Sequence, residues 1–518
     1  MSEKPDPPPS FRPKVPVDPA YDHWLTYGVE KRILVVTRTV TTVTRLLDIL
    51  SLLEDDHRVQ PVFTFDDRRP AVFSAGLTEL LTSLGAAVVP WSQARTAEFD
   101  LAVAASENDD LAELRCPVLL VPHGIGHQKY YPRTKTISGL NPARLRGDRL
   151  HVGLSHGNQL GHVRGKSAVV IGDPCHDRML ASAHRVPHFR RVLGAADRTH
   201  VVLASTWGPQ SLIGSNPSLP HRFLAELPLD EYRVSLVLHP GVWSAHSPLQ
   251  VRAVLASARR GGLTLIPPQR GWQATILSAD CLVSDCGSMP LYASAAGVPV
   301  VIGSPVADTV VAGSPLADLV ARAPRLDESA LPDQVAAAIA SGPVAGPAAE
   351  AVEYPGKCAE ILRALLYELL DLPEPSRPAA FPPVDDPVPE YEAPTALRVG
   401  VEAAGDDLLV RRFPASVPGA PLPGQHIVAH AELATLAELE GAAVVHRSAG
   451  ADFAGWAAET ARRRPNARLL AETAPGLCRV WTDGVITDLP AAVDPLVLAS
   501  AAHWRTVRGL PLTDLRVR

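Results

Sequence analysis

Two scarcities narrow the field first. No run of about 18 apolar residues occurs in the 518-residue chain, so nothing in it reads as a transmembrane helix. Cysteine is sparse: six residues, at 116, 175, 281, 286, 358 and 478, none in a C-x-x-C pair. Several sit inside apolar runs. That pattern fits reduced core residues of a cytoplasmic protein and excludes a disulfide framework. Positive charge is short as well. The net charge is −6 and aromatics make up 5% of the chain, which argues against a nucleic-acid or anionic-lipid surface. The polar, Pro-rich start "MSEKPDPPPSFRPKVPVDPA" has no apolar stretch of the signal-peptide kind. No basic amphipathic helix offers itself to a lipid surface. The Ala, Arg and Pro bias, with only 3 Met, fits a GC-rich genome and says nothing about activity.

What is present is α/β patterning. At about 150 residues per domain, the length suggests roughly three domains. Residues 1–30 read as a disordered or loosely docked arm. From Arg32 onward, "RILVVTRTV", "RVQPVFTF", "AAVVP", "FDLAVAAS" and "CPVLLVPHG" read as strands, with helical segments such as "TTVTRLLDILSLLEDD" between them. Strands apolar throughout and separated by helices predict a parallel sheet covered on both faces. The first domain is placed at 31–165. A second series, "SAVVIGDP", "THVVLASTWG", "YRVSLVLHPG", "GGLTLIPP", "DCLVSD" and "VPVVIGSP", closes with "GKCAEILRALLYELLDL" and defines a domain at 166–371. Residues 372–394 are Pro-rich and acidic and read as a semi-rigid linker. Residues 395–518 read as a small α/β module without a chemical motif. The expected fold class is therefore α/β: two doubly wound Rossmann-like domains plus a small C-terminal α/β module.

In an open α/β sheet, ligands bind beyond the carboxyl ends of the strands. The residues that follow each strand are the ones to inspect, and five sets are polar. They are His123-Gly124, Asp173-Pro174-Cys175-His176-Asp177, Thr206-Trp207-Gly208, His239-Pro240-Gly241 and Asp285-Cys286-Gly287-Ser288. The last set opens a helix. A helix start presents unpaired N–H groups and the positive end of the dipole, which suits a phosphate. Gly287 lets the backbone approach a ligand, Ser288 adds a hydroxyl, and Pro290 is tolerated in the first turn. The same residues also serve as a plain strand-to-helix turn with a serine cap. His123 and His239, one in each domain, are candidates for a general base or for a donor that neutralises phosphate. The competing role for each is that of a hydrogen-bonded loop histidine.

The order of these motifs resembles that of the CDP-glycerol glycerophosphotransferase family, teichoic-acid-type polymerases and primases with the GT-B fold. The likeness covers about residues 30–371. In words, the family pattern is His-Gly-Thr with a nearby Lys, Gly-x-Pro-Arg-x-Asp, Pro-Thr-Trp-Arg, His-Pro, and Thr-Asp-Tyr-Ser-Ser before a helix. The resemblance implies a transferase with His123 as the acceptor-side catalytic base. Thr206, Trp207, His239, Asp285, Gly287 and Ser288 would hold the donor diphosphate. Gly124, His127, Asp173, His176 and Asp177 would border the cleft. The implied donor is nucleotide-activated, CDP- or UDP-linked. The implied acceptor is a polyol, a glycan or a lipid-linked molecule in a cell-envelope setting. No metal and no other cofactor is expected, and the location is cytoplasmic, with a peripheral position at the inner membrane face as the further option.

The departures matter. Cys175 and Gly208 stand where the family has Arg, Cys286 where it has Tyr, and Gly287 where it has the first Ser. Lys129, Arg133, Lys135, His127 and His176 are the candidates to compensate. Two rival readings follow. One is a non-catalytic GT-B scaffold in which 395–518 binds a protein partner. The other is a sugar-nucleotide 2-epimerase-like enzyme, which would carry acid/base carboxylates in the cleft.

Overall fold

The computed structural model describes residues 25–66, 75–163 and 165–517. The arm expected over 1–30 lies outside the described residues as far as residue 24. The first sheet holds seven parallel strands: β1 (Lys31–Val36), β2 (Val59–Phe65), β3 (Val88–Pro90), β4 (Leu101–Ala104), β5 (Val118–Leu120), β6 (Leu150–Leu154) and β7 (Ser167–Val170). Their order is β3-β2-β1-β4-β5-β6-β7. The second sheet is parallel too: β8 (Thr199–Ser205), β9 (Tyr232–Leu238), β10 (Thr264–Ile266), β11 (Cys281–Ser284) and β12 (Val300–Ile302), in the order β10-β9-β8-β11-β12. Both are doubly wound, with a reversal of strand order beside the first strand of the sheet.

The strand sequences explain why both faces are covered. In β1, Ile33 and Val35 join one apolar cluster and Leu34 and Val36 another. In β8, Val202 and Ala204 point to one cluster, Val201 and Leu203 to the other. Side chains alternate faces along a strand, so an uninterrupted apolar run needs a helix layer on each side.

Two sequence expectations need correction. Ser167–Val170 belongs to the first sheet, pairing with β6, although "SAVVIGDP" reads as the opening of the second series. And β6 itself, "LHVGL", went unnoticed, because a His and a Gly within five residues blur a buried strand's pattern.

The chain then ties its two lobes together. The helix Cys358–Leu370 follows the second lobe yet buries Leu362, Leu366 and Leu370 in the first lobe's core beside Ile33 and Val35. Asp177 caps its start, accepting from Gly356 N and Cys358 N at 2.8 Å each. This return of the last helix onto the first lobe completes a GT-B-type arrangement.

The Pro-rich stretch after it is a docked strap and not a free linker. Phe381 sits in the first lobe's core and Val384 in the second's. Arg185 donates to Val384 O at 2.8 Å and pairs with Asp386 at 2.6 Å. Arg252 holds Glu390 through two bonds of 2.9 and 2.7 Å. Glu390 also pairs by backbone with Leu265 of β10. The acidity that looks like solvation in the sequence is met by arginines of the second lobe.

The remaining residues form a mixed seven-stranded sheet: β13 (Ala396–Ala404), β14 (Asp407–Pro414), β15 (His426–His430), β16 (Val444–Ser448), β17 (Leu469–Ala474), β18 (Leu477–Thr482) and β19 (Val485–Pro490). The helix Pro495–Val507 covers one face. The module docks on the second lobe, where Arg412 Nε donates to Asp230 at 2.8 Å and Val417 enters the core. All six cysteines are buried and unpaired. Among the described residues, no helix is long and apolar enough to cross a membrane.

Candidate functional site

The carboxyl ends of β5, β8, β9 and β11 meet at one cleft between the lobes. The first lobe contributes His123-Gly124 immediately after β5. The second contributes Ser288, at the cap of the helix Met289–Ala295. These two segments touch: a Cβ added to Gly124 would stand 3.6 Å from Ser288 Cβ and 3.7 Å from its Oγ. Ser288 is exposed and makes no capping bond of its own.

His123 lies open to the cleft, and its Nδ1 is 3.2 Å from Ala105 O. A ring nitrogen facing a carbonyl must carry the proton, so Nε2 is left as the basic atom. Its crowded surroundings push the imidazole below its usual value. The buried Glu107 carboxylate works in the opposite direction.

His239 caps the helix Pro240–Val254. Its Nδ1 accepts from Gly241 N at 2.9 Å, so in the neutral ring the proton sits on Nε2. Burial lowers this imidazole to about 4, and the fields of His123 and Lys129 add to the effect. At neutral pH the ring is an uncharged N–H donor.

Asp285 does different work from the one expected. It is buried, and its Oδ2 accepts from Thr206 N at 2.7 Å, Thr206 Oγ1 at 2.9 Å and Leu212 N at 3.0 Å. It is the latch that joins the β8 and β11 turns, and Thr206 is committed to it. Gly287 is required by the same packing, since a Cβ there would stand 2.6 Å from Thr206 Cγ2. Trp207 is exposed at 46% beyond this latch.

Three residues expected at the cleft lie behind it. Asp173 is fully buried, caps the helix Pro174–Ala181 and pairs with Arg45 of the first lobe. Asp177 is spent on the cap of the return helix described above. His176 is buried beside Asp177, its Nδ1 3.6 Å from Asp177 Oδ1 and without a hydrogen bond. Polar residues after a strand suggested a ligand edge; here the turn faces the lobe junction. His127 is held by Ser138 O at 3.0 Å from Nδ1, and burial lowers it to about 4.

The strand tip after β4 carries functional groups that the sequence reading passed over. Glu107 is buried and accepts from Tyr131 OH at 2.5 Å and from Gly139 N at 2.8 Å. Asp109 is raised to about 6 by burial, against the pull of Arg38 at 2.7 Å, and its Oδ2 is buried without a partner. The signal was in the sequence, because "ASENDD" follows a buried strand as the other polar tips do. Among the described residues, no group of three His, Cys, Asp or Glu side chains converges as a metal site.

No family model and no curated protein matches the chain. Several solved structures align with it. A Methanocaldococcus jannaschii UDP-GlcNAc 2-epimerase in complex with UDP-GlcNAc and UDP aligns over 65% of this chain and 99% of its own, at 12% identity and TM-score 0.44. S. aureus MnaA with UDP aligns over 68% of this chain and 100% of its own, at 12% identity and TM-score 0.40. The wall teichoic acid polymerase TagF aligns over 53% of this chain and 69% of its own, at 13% identity and TM-score 0.34. Likeness this loose carries no functional information, so what the cleft can do must follow from its own residues.

Proposed function

We propose that the cleft binds a nucleoside-diphosphate-linked substrate and transfers its activated group to an acceptor hydroxyl. The observation that carries this reading is the meeting of His123-Gly124 with Ser288 across the lobes, beside the neutral His239. A group-transfer site needs a base for the attacking hydroxyl and donors for the leaving diphosphate, held in one water-excluding space. His123 Nε2 supplies the base. His239 Nε2–H and the Ser288 hydroxyl supply donors on the opposite wall. The motif order resembling the CDP-glycerol glycerophosphotransferases points the same way and suggests a polyol, glycan or lipid-linked acceptor. Isothermal titration against a panel of CDP- and UDP-linked donors tests the proposal. Absence of binding at millimolar donor, with folded protein, overturns it.

A second reading has an observation of its own. Glu107 and Asp109 bring carboxyl groups to the tip of β4, near enough to His123 for Glu107 to raise its pKa. Asp109, at about 6, is poised to hold or release a proton near neutrality. A sugar-nucleotide epimerase needs such acid/base pairs. Conversion of a UDP-linked sugar without any acceptor would favour it over transfer.

A further inference from the structure

The connection between β5 and β6, residues 121–149, holds no helix and no named strand. Loops longer than about 12–15 residues without structure of their own are uncommon and usually functional. This one is anchored at both ends. Ile125 is buried in the second lobe's core beside Cys286 and Leu291, and Leu140 and Leu145 are buried in the first lobe's core. Between the anchors the chain folds into a hairpin over 127–138. Tyr130 is bridged to Ile137, Ser138 N donates to Lys129 O at 2.8 Å, and His127 Nδ1 lies 3.0 Å from Ser138 O. Gly126 and Gly139 flank it at φ +68° and +89°, backbone that glycine adopts freely and other residues adopt only under strain.

The hairpin is held to both lobes by polar bonds. From His127 to Ser138 no apolar side chain is buried; Gln128 alone is, and Ile137 only leans on the first lobe's core. On the second lobe, Tyr130 N donates to Thr309 O at 2.6 Å, Val311 N to Gln128 O at 3.0 Å and Leu316 N to Gln128 Oε1 at 3.4 Å. On the first lobe, Glu107 accepts from Tyr131 OH at 2.5 Å and from Gly139 N at 2.8 Å. The tip, Pro132 to Lys135, is exposed. Hydrogen bonds near solvent are exchanged for bonds to water at little net cost. The lobe junction is built the other way. Arg45 and Asp173 pair there out of contact with solvent, and the return helix buries Leu362, Leu366 and Leu370 across it. Apolar burial and a buried ion pair are costly to undo.

We infer that the 127–138 hairpin is a clasp that opens by itself: it lifts off residues 309–311 as one unit, turning at Gly126 and Gly139, while the lobe junction stays shut. The clasp follows His123-Gly124 in the chain, separated from them only by Ile125 and Gly126. Its release widens the cleft on the side where His123-Gly124 meets Ser288. Its use, to admit a substrate between lobes that do not hinge apart, rests on the cleft reading above.

Lys129 and Val310 provide the test. The two backbone bonds flank their bridge instead of joining it, which is the closely spaced kind of antiparallel pair, with Cα atoms about 4.5 Å apart. A disulfide spans such a pair. All six native cysteines are buried and unpaired, and Lys129→Cys alone reports any pairing with nearby Cys286. Hydrogen exchange read by mass spectrometry is followed in the wild type and in Lys129→Cys/Val310→Cys, oxidised and reduced. In the wild type, peptides covering 127–138 and 309–311 should exchange together, on the order of 10²-fold faster than β8 and β11. Oxidation of the double variant should slow both peptides, and reduction should restore them. Exchange of 127–138 as slow as the sheet core overturns the clasp. So does exchange of 127–138 in step with peptides covering Arg45 and Cys358, because the lobes would then be parting as a whole. Failure of the folded double variant to form the bond overturns the pairing of 129 with 310. Association of UDP and CDP, followed by stopped flow, should be about 10-fold slower in the oxidised variant than in the reduced one. Equal rates overturn the admission role and leave the opening itself to the exchange result. If the wild type binds neither nucleotide, the cleft reading falls, and exchange alone decides the clasp.

Discussion

Arg45 and Asp173 form an ion pair shut off from solvent, with Nη2–Oδ2 at 3.1 Å and side chains 4% and 0% exposed. Arg45 lies on the first lobe's helix Val40–Leu50, and Asp173 follows β7 at the lobe junction. The Tyr292 hydroxyl closes the knot, accepting from Arg45 at 2.8 Å and lying 3.2 Å from both carboxylate oxygens. Tyr292 sits one turn beyond Ser288, so the knot fixes the helix that begins after Ser288 against the first lobe.

Breaking that knot on one side should be costly. Arg45→Met strands a buried carboxylate, and removing one partner of a buried pair typically costs about 3–5 kcal/mol. Arg45→Met with Asp173→Asn should recover part of the loss. Guanidinium denaturation of the two variants checks this; equal stability of Arg45→Met and wild type would refute it.

Asp285→Ala should loosen the two turns together. It leaves Thr206 N and Leu212 N without their acceptor, at about 1–3 kcal/mol for each buried group left unpaired. Thermal unfolding should show the loss, and nucleotide binding should weaken with it.

Acid should destabilise the protein through its buried imidazoles. His200 is fully buried between Ser278 O and Ser235 Oγ, and burial lowers it to about 4; His503 behaves likewise. The unfolded rings titrate near 6.5, so below that pH the unfolded chain binds protons that the folded chain refuses. The stabilisation is complete above pH 6.5 and is lost between about 6.5 and 4, by up to ~1.4 kcal/mol per pH unit for each ring. A flat denaturation midpoint from pH 7 to 4.5 would contradict this.

The strap predicts resistance to cleavage where the sequence reads as a semi-rigid linker. Phe381→Ala should cost about 3–5 kcal/mol, the range for a buried aromatic, and the wild-type strap should survive limited proteolysis. The sequence could not reveal this. Proline and acidic residues look the same in a spacer and in a docked segment, and the arginines that decide between them, at 178, 185 and 252, are up to about two hundred positions away. Strand positions were more legible, because apolar runs bounded by polar tips are local patterns. His123, His239 and Ser288 stand out as polar strand tips for the same reason. The site's second layer was not: Glu107, Tyr292 and Arg45 matter through what the fold brings to them, and no local pattern records a contact such as that between residues 45 and 292.

Glu107 separates the two functional readings. Its carboxylate opposes the lowering of the His123 pKa and holds the 131–139 segment through Tyr131 OH and Gly139 N. Glu107→Gln keeps an oxygen acceptor for those bonds and removes the charge. If His123 is the base of a transferase, losing the negative neighbour lowers its pKa, so the ring stays unprotonated to lower pH. The acid limb of kcat/KM should then move down while most activity at neutral pH survives. If Glu107 is itself an acid or base of an epimerase, the amide cannot exchange a proton and turnover should fall by about 10²-fold or more. His123→Ala should abolish transfer in the first case while leaving nucleotide affinity within a few fold, because a base on the acceptor side does not hold the diphosphate. A pH profile of Glu107→Gln that coincides with wild type would remove Glu107 from both schemes and leave it only its bonds to Tyr131 and Gly139.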